Sequence, residues 1–165
     1  MARNDILVMI PVSAELAGQL MTEGTLSGLL PVVSVNRGLI ETFGIDPSTA
    51  DGQEEAELAA LQIAGVLGLR QHRRRLILTA LVPTTQLRLD LDEPNGLANL
   101  DGLSLRQVAA VFAETEPPNP QLVAQIENLE IDDAWDAAQD FMTSSELLWH
   151  APSELAGLLK TSTDR

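Results

Sequence analysis

The sequence predicts a single α+β domain in which short strands and helices are interleaved. Three apolar runs of strand length, at 6–10, 76–82 and 108–113, are separated by segments with helical periodicity. Hydrophobic residues make up 45% of the 165 residues, which is enough for a buried core, and aromatic residues make up only 3%. We therefore expect one domain over residues 1–160 with an aliphatic core, followed by a polar tail at 161–165.

The opening unit is a strand followed by a helix. Residues 6–10 form a continuous apolar run, which is typical of a strand covered on both faces, and Pro11 ends it. Ser13 is a suitable N-cap for a helix over 13–23, and Gly24 is suited to end that helix in the left-handed conformation.

The next stretch contains weaker signals and then the clearest helix of the chain. Residues 29–35 predict a second short strand, and 39–43 predict one or two helical turns. The long helix is expected over 53–69, because its first turn is acidic and its end is basic, as the helix dipole favours. Asp51 lies at the N-cap position of a capping box, and Gly68 would allow a neighbouring element to approach closely.

The second half continues with the same interleaving. An apolar run that ends at Pro83 predicts a central strand, and the alternation after it predicts a half-exposed strand. Asn119 and Pro120 have the residue types of an N-cap and a first helical position. The elements predicted here are strands over 75–82, 87–91, 107–113 and 146–151, helices over 120–129, 131–142 and 154–159, and a loop over 97–103.

The order of the strongest elements points to an α/β sandwich. When the segment 25–50 and the strand 87–91 are left out, the order is βα(α)ββαβ. This is the order of a ferredoxin-like split-βαβ fold (βαββαβ) with an extra helix in the first crossover. Right-handed crossovers would place the helices on one face of the sheet. The same order also permits a mixed doubly wound sheet.

The charge of the chain is strongly acidic and unevenly distributed. Ten Lys and Arg residues face 24 Asp and Glu residues, which gives a net charge of −14. Residues 1–89 carry seven basic and nine acidic groups, whereas residues 90–165 carry three basic and fifteen acidic groups. Such acidity argues against duplex nucleic acid or an anionic membrane as the main partner. We therefore expect neither nucleic acid nor a membrane among its partners.

The sequence also limits the chemistry and the compartment. The absence of cysteine excludes disulfides, thiolate nucleophiles and cysteine-based metal sites. The apolar run at 6–10 is too short for the hydrophobic region of a signal peptide. No segment reaches the roughly 20 apolar residues that a membrane-spanning helix requires. We expect a cytoplasmic protein.

The basic residues are concentrated in the stretch from Arg70 to Arg75, which holds four of the ten cations. One interpretation is a patch that binds a small anion or an acidic partner, since guanidinium groups suit carboxylates and phosphates. The other is a helix end and strand start whose charges the acidic second half neutralises. His150 beside Trp149 is the more interesting imidazole, although a histidine next to a buried tryptophan is more often structural than catalytic. The candidate binding residues are Arg73, Arg74, Arg75, Trp149 and His150.

Two acidic segments have features of a metal site. Asp132, Asp136 and Asp140 recur every four residues and would form one stripe on a helix. The stripe is either a hard-cation site or the solvated face of an amphipathic helix, and the second is far more frequent. The segment 90–101 resembles a calcium loop, but Pro94 stands where an oxygen ligand is needed.

No motif for catalysis occurs elsewhere in the chain. The sequence has no nucleophile elbow and no glycine-rich phosphate loop in a strand-to-helix context. It therefore offers no catalytic residue, no metal site and no cofactor, and it leaves open whether the protein is an enzyme.

Several segments together resemble a known family. They are the opening strand and helix, 54–61, 73–78, 108–111 and 147–155, in this order. The arrangement resembles a family of small uncharacterised proteins from high-GC Gram-positive bacteria, over about residues 5–158. Its most specific part is Leu-Leu-Trp-His-Ala, where related sequences often have Tyr in place of His150. The family has no assigned activity, so the resemblance implies a single domain and no catalytic residue.

The function expected from the sequence is a non-enzymatic domain that acts through protein contacts, including self-association as a homodimer. Its apolar strands could pair at an open sheet edge. One alternative is a protein that binds a small molecule or anion through Arg70–Arg75 with Trp149 and His150. A weaker alternative is a divalent-metal-dependent hydrolase.

Overall fold

The computed structural model describes residues 5–163, which contain seven strands and six α-helices. The strands are β1 (Asp5–Pro11), β2 (Thr25–Ser34), β3 (Leu76–Pro83), β4 (Leu87–Leu89), β5 (Leu97–Ser104), β6 (Val108–Glu114) and β7 (Leu147–His150). The helices are α1 (Ala14–Glu23), α2 (Arg37–Thr42), α3 (Ala50–His72), α4 (Pro120–Ile126), α5 (Ile131–Ser144) and α6 (Leu155–Thr163). The protein is therefore an α+β domain, as predicted.

All seven strands form one sheet in the order β4-β5-β2-β1-β3-β6-β7, and every neighbouring pair is antiparallel. The ferredoxin-like arrangement is not confirmed, because that fold places the two strands of its first βαβ unit parallel, with a third strand between them. In the predicted order these two strands are β1 and β3. Here β1 and β3 are neighbours but antiparallel, with Val8 opposite Ala80. The strands β2 and β3 lie on either side of β1, and both run opposite to it. The chain therefore crosses over β1, through α2 and α3, to pass from β2 to β3.

The helices cover both faces of the sheet rather than one. Val8 and Ile10 pack on one face with α1 and α6. Met9 and Ile77 pack on the other face with α3. The helices α4 and α5 then pack against the outer side of α3. Because α3 lies between the sheet and α5, it is buried on two sides, which explains its many apolar positions.

Two local predictions are wrong. Residues 97–103, expected to be a loop, lie in β5, where Ala98 and Leu100 are buried and the strand pairs with β2. The N-cap of α3 is Thr49 rather than Asp51, because the Thr49 hydroxyl accepts the Gly52 N–H at 2.9 Å.

The close approach predicted at Gly68 is present. A Cβ added at Gly68 would lie 2.8 Å from the Arg74 carbonyl oxygen and 3.3 Å from the Cβ of Pro11. A glycine at this position therefore lets α3 lie directly on the start of β3 and the end of β1.

Candidate functional site

Arg73 forms the turn between α3 and β3. Its φ of 60° makes it the one non-glycine residue with positive φ in the described part of the chain. The Arg73 N–H donates to the Leu69 carbonyl at 3.1 Å and so ends the helix. The side chain is 72% exposed and forms an ion pair with Glu127. A large side chain in this left-handed conformation costs about 1 kcal/mol, because glycine is the residue that suits it.

Arg75 is buried and contacts the end of α5. Its Nη2 donates to the carbonyl oxygen and the hydroxyl of Ser145, at 3.0 and 3.1 Å. Its guanidinium lies over the ring of Phe141, 4.5 Å from the ring centroid. These contacts join α5 to the sheet, so Arg75 has a packing function in this fold.

Arg75 also forms a buried ion pair with Glu114. The two side chains are 3% and 8% exposed, and Arg75 Nε lies 3.4 Å from Glu114 Oε2. Burial raises the pKa of Glu114 and lowers the pKa of Arg75, while the attraction between the two groups opposes both shifts. Both pKa shifts therefore favour the neutral form of the group, because the cost of removing the charges from water outweighs their attraction.

Arg73 and Arg74 line one cavity together with His150, which lies far from them in the sequence. Its volume is about 450 Å³, and small-molecule sites occupy roughly 300–1,000 Å³. Glu114 and Thr115 also line it. The apolar side chains in its walls are Ala113, Pro117, Pro118, Leu148 and Leu158. The cavity therefore combines cationic side chains with an apolar surface.

Trp149 lies on the opposite face of the sheet from this cavity. In β7, Leu148 is paired with Ala113 and Trp149 with Phe112. Because successive side chains of a strand point to opposite faces, Leu148 lies on the α6 side and Trp149 on the α3 side. Trp149 is 60% exposed, not buried as expected, because β7 is the outermost strand. The structure thus brings Arg73, Arg74 and His150 together and leaves Arg75 and Trp149 apart from them.

The basic side chains of this region have acidic neighbours from the second half of the chain. Arg73 pairs with Glu127 and Arg75 with Glu114, and His150 Nδ1 lies 3.9 Å from Glu154 Oε1. Arg74 is close enough to Glu114 to oppose the rise in its pKa. This pattern is the internal neutralisation that the second interpretation of the basic stretch described.

The two acidic segments with features of a metal site do not form one in the described residues. Asp132, Asp136 and Asp140 lie along α5, and Asp92 at the former calcium-loop segment pairs with Arg37 at 2.7 Å. Across residues 5–163, no group of three or more His, Asp or Glu side chains could hold a metal ion. The metal-dependent hydrolase therefore has no structural basis in these residues.

The sequence analysis did not identify Glu114 as the partner of Arg75, and it did not identify a second cavity. A signal for Glu114 was available, since it ends one apolar strand and Arg75 precedes another, and opposite charges suit antiparallel neighbours. The second cavity lies between α2 and α5, where Phe43 and Trp135 meet. No local pattern could reveal it, because it depends on how the two helices pack.

Comparison with known proteins identifies the family of the chain. No curated protein and no solved structure matches it. In the described residues no helix has the length and apolarity to cross a membrane. The model of a family of unknown function, DUF6912, matches residues 6–159, which include both cavities and β7. The chain therefore belongs to this family of unknown function, DUF6912.

Proposed function

We propose that the protein is a non-enzymatic interaction domain whose contact surface is the outer edge of β7 and the apolar side chains beside it. The observation that carries this proposal is Trp149, which is 60% exposed on the outermost strand next to Leu148 at 45%. Tryptophan is enriched at interfaces because it offers a large apolar surface and one hydrogen-bond donor.

The apolar surface extends from β7 to the neighbouring helix. Leu58 of α3 is 55% exposed and lines the same groove as Leu147. Leu147 and Trp149 share one face of β7, since they are two residues apart in a strand. In the described residues β7 pairs only with β6, so its outer edge presents backbone N–H and C=O groups that another strand can bind.

A second copy of the chain is the partner that suits this edge. Two β7 strands related by a twofold axis perpendicular to the sheet run antiparallel and keep equivalent faces on the same side. In the register centred on Trp149, this tryptophan lies opposite its equivalent, and Leu148 lies opposite His150 of the second copy. No Asp, Glu, Lys or Arg occurs within β7, so the pairing brings no like charges of the strand face to face.

The salt dependence of association tests this proposal. Each copy carries a net charge of −14, so two copies repel one another at long range. Salt screens this repulsion, with a Debye length of about 8 Å at physiological ionic strength. We expect light scattering to show a dimer whose population increases with NaCl. A monomer at every salt and protein concentration, or a dimer that dissociates as salt rises, would contradict self-association through an uncharged edge.

A second candidate function is the binding of a small anion, and the convergence of Arg73, Arg74 and His150 on one cavity favours it. The ligand would be a carboxylate or phosphate with an apolar body. Thermal shifts with a panel of such compounds should disappear in the Arg73→Ala/Arg74→Ala double variant. Arg88→Ala, an exposed arginine on β4, is the matched control and should keep them. A panel that produces no shift in the wild-type protein would contradict this function.

The composition of the chain bears on its compartment and on the partners that it excludes. We propose one folding unit over residues 1–160 and a cytoplasmic location, without nucleic acid or membrane partners. The absence of cysteine supports the cytoplasmic location, and the net charge of −14 opposes binding to nucleic acid and to anionic membranes.

A further inference from the structure

The cavity between α2 and α5 combines two aromatic rings with two carboxylates. Phe43 follows α2 and is 40% exposed, and Trp135 lies on α5. Their ring centroids are 6.1 Å apart and the ring planes meet at 73°, so the rings form two nearly perpendicular walls. Asp132 and Asp136, one helical turn apart, line the same cavity, whose volume is about 280 Å³. Two of the five aromatic residues of the chain are thus in contact at this place.

The two carboxylates differ in the contacts that the rest of the protein makes with them. Asp132 accepts a hydrogen bond from Asn95 Nδ2 at 3.1 Å and lies in the first turn of α5, where the helix dipole stabilises a negative charge. Asp136 lies one turn further along α5. No ion pair of the described residues includes either carboxylate. The negative charge at the cavity is therefore not neutralised by a Lys or Arg side chain.

The wider surroundings favour a cation and oppose an anion. Most residues that line the cavity come from the second half of the chain, residues 90–165, which carries three basic and fifteen acidic groups. Such a field concentrates cations near the surface. A bare divalent metal is a poor occupant, because it requires more oxygen ligands than two carboxylates and two aromatic walls provide.

The aromatic walls select among organic cations. A cation within about 6 Å of a ring face is attracted by the ring, and tryptophan is the strongest aromatic partner. An alkylated ammonium group gives up little hydration when it leaves water, whereas a primary ammonium is strongly hydrated. We propose that the cavity between Phe43 and Trp135 binds an alkylated ammonium group, with Asp136 supplying the counter-charge. The group can belong to a free quaternary amine or to a methylated lysine of another protein.

A fluorescence titration tests this site in the full chain. The protein has two tryptophans, so a Trp149→Phe variant leaves Trp135 as its sole tryptophan. We expect choline chloride to change the Trp135 emission, with half-saturation at about 1 mM. The control ligand is 3,3-dimethyl-1-butanol, which replaces the charged nitrogen of choline by carbon and should produce no change. The ionic strength is held constant with NaCl throughout.

Variants of the cavity distinguish the contribution of the aromatic rings from that of the carboxylates. Phe43→Ala should weaken choline binding about tenfold, the size of one cation–π contact. Asp136→Asn keeps the shape of the side chain and removes its charge, so it should weaken choline binding at the same ionic strength. Asp140→Asn, on α5 but outside the cavity, is the matched control and should bind choline as the parent does. The folded state of each variant is checked by its near-ultraviolet circular dichroism.

Two results would overturn the proposal. One is the absence of any change in Trp135 emission up to about 100 mM choline, one hundred times the expected half-saturation. The other is equal binding of choline and its neutral analogue, since a charge-selective site cannot give that result. A trimethyllysine peptide and its unmethylated form distinguish the sources. Tighter binding of the methylated peptide than of choline assigns the site to a protein partner, and tighter binding of choline assigns it to a small molecule.

Discussion

The buried pair of Arg75 and Glu114 is the residue-scale feature with the largest expected effect on stability. Arg75→Met leaves Glu114 buried without its partner and removes the hydrogen bonds to Ser145. We expect a loss of about 3–5 kcal/mol, the usual cost of breaking a buried ion pair from one side. Urea unfolding measures this loss.

The double variant Arg75→Met/Glu114→Gln provides the control. Because both pKa shifts indicate that burial costs more than the attraction returns, removing both charges should cost less than the sum of the single changes. A strictly additive double variant would show that the two charges do not interact, contrary to the geometry.

His72 gives a pH dependence with a definite sign. Burial lowers the pKa of His72 below its usual 6.5, although the Pro11 carbonyl opposes this shift. The unfolded chain therefore binds a proton at a higher pH than the folded protein does. Stability should fall as pH decreases below 6.5 and stop falling, for this group, below the lowered pKa.

The measurement is the free energy of unfolding between about pH 5 and 7, the range in which histidine changes charge. His72→Gln should flatten the slope in this range. An unchanged slope in the variant would assign the pH dependence to other groups.

At the scale of elements, two helical glycines should respond to alanine in opposite ways. In Gly68→Ala the new Cβ meets the Arg74 carbonyl at 2.8 Å, so we expect α3 to be pushed from the sheet at a cost of about 1–3 kcal/mol. In Gly18→Ala of α1 nothing lies within 4 Å of the new Cβ. That variant should be stabilised by about 0.5–1 kcal/mol through helix propensity. Thermal unfolding compares them, and changes of the same sign would contradict the packing described for α3.

The elements that sequence could predict are those with complete local signals. The helix α1 has its Ser13 cap and its Gly24 stop, and β3 is apolar on both faces. By contrast, β2 and β5 depend on each other. Gly28 in β2 has a φ of 90°, and the pairing shifts register between Leu26 and Leu29. Such strands are stabilised by their neighbours across the sheet, so the sequence predicted only the second half of β2, within 29–35, and predicted a loop in place of β5.

At the scale of the whole molecule, strand order decides which candidate residues meet. Arg74 and His150 line one cavity because β7 pairs with β6, which in turn pairs with β3. The residue types of this site were predictable from guanidinium and imidazole chemistry. Which residues meet at this site could not be predicted. The face on which Trp149 lies, and its exposure, follow from the position of β7 as the last strand of the sheet.

The charge distribution has a different meaning once the fold is known. The acidic half supplies Glu114 and Glu127 to the arginines of the first half. Among the described residues, Asp132 and Asp136 at the second cavity have no ion partner. The outermost strand β7 contains no Asp, Glu, Lys or Arg, and it is the surface on which we propose that two acidic copies meet. We therefore expect partner choice to depend on local surfaces more than on the net charge of −14.

The most direct test of the central claim is sedimentation equilibrium of Trp149→Ser against a matched control. Leu91→Ser also removes an exposed apolar side chain, 50% exposed, but it lies in the turn before β5, away from β7. We predict a wild-type dimer, a dissociation constant at least about tenfold higher in Trp149→Ser, as expected for a central interface tryptophan, and no change in Leu91→Ser. Equal dissociation constants for the wild-type protein and Trp149→Ser would contradict the assignment of the contact surface to β7.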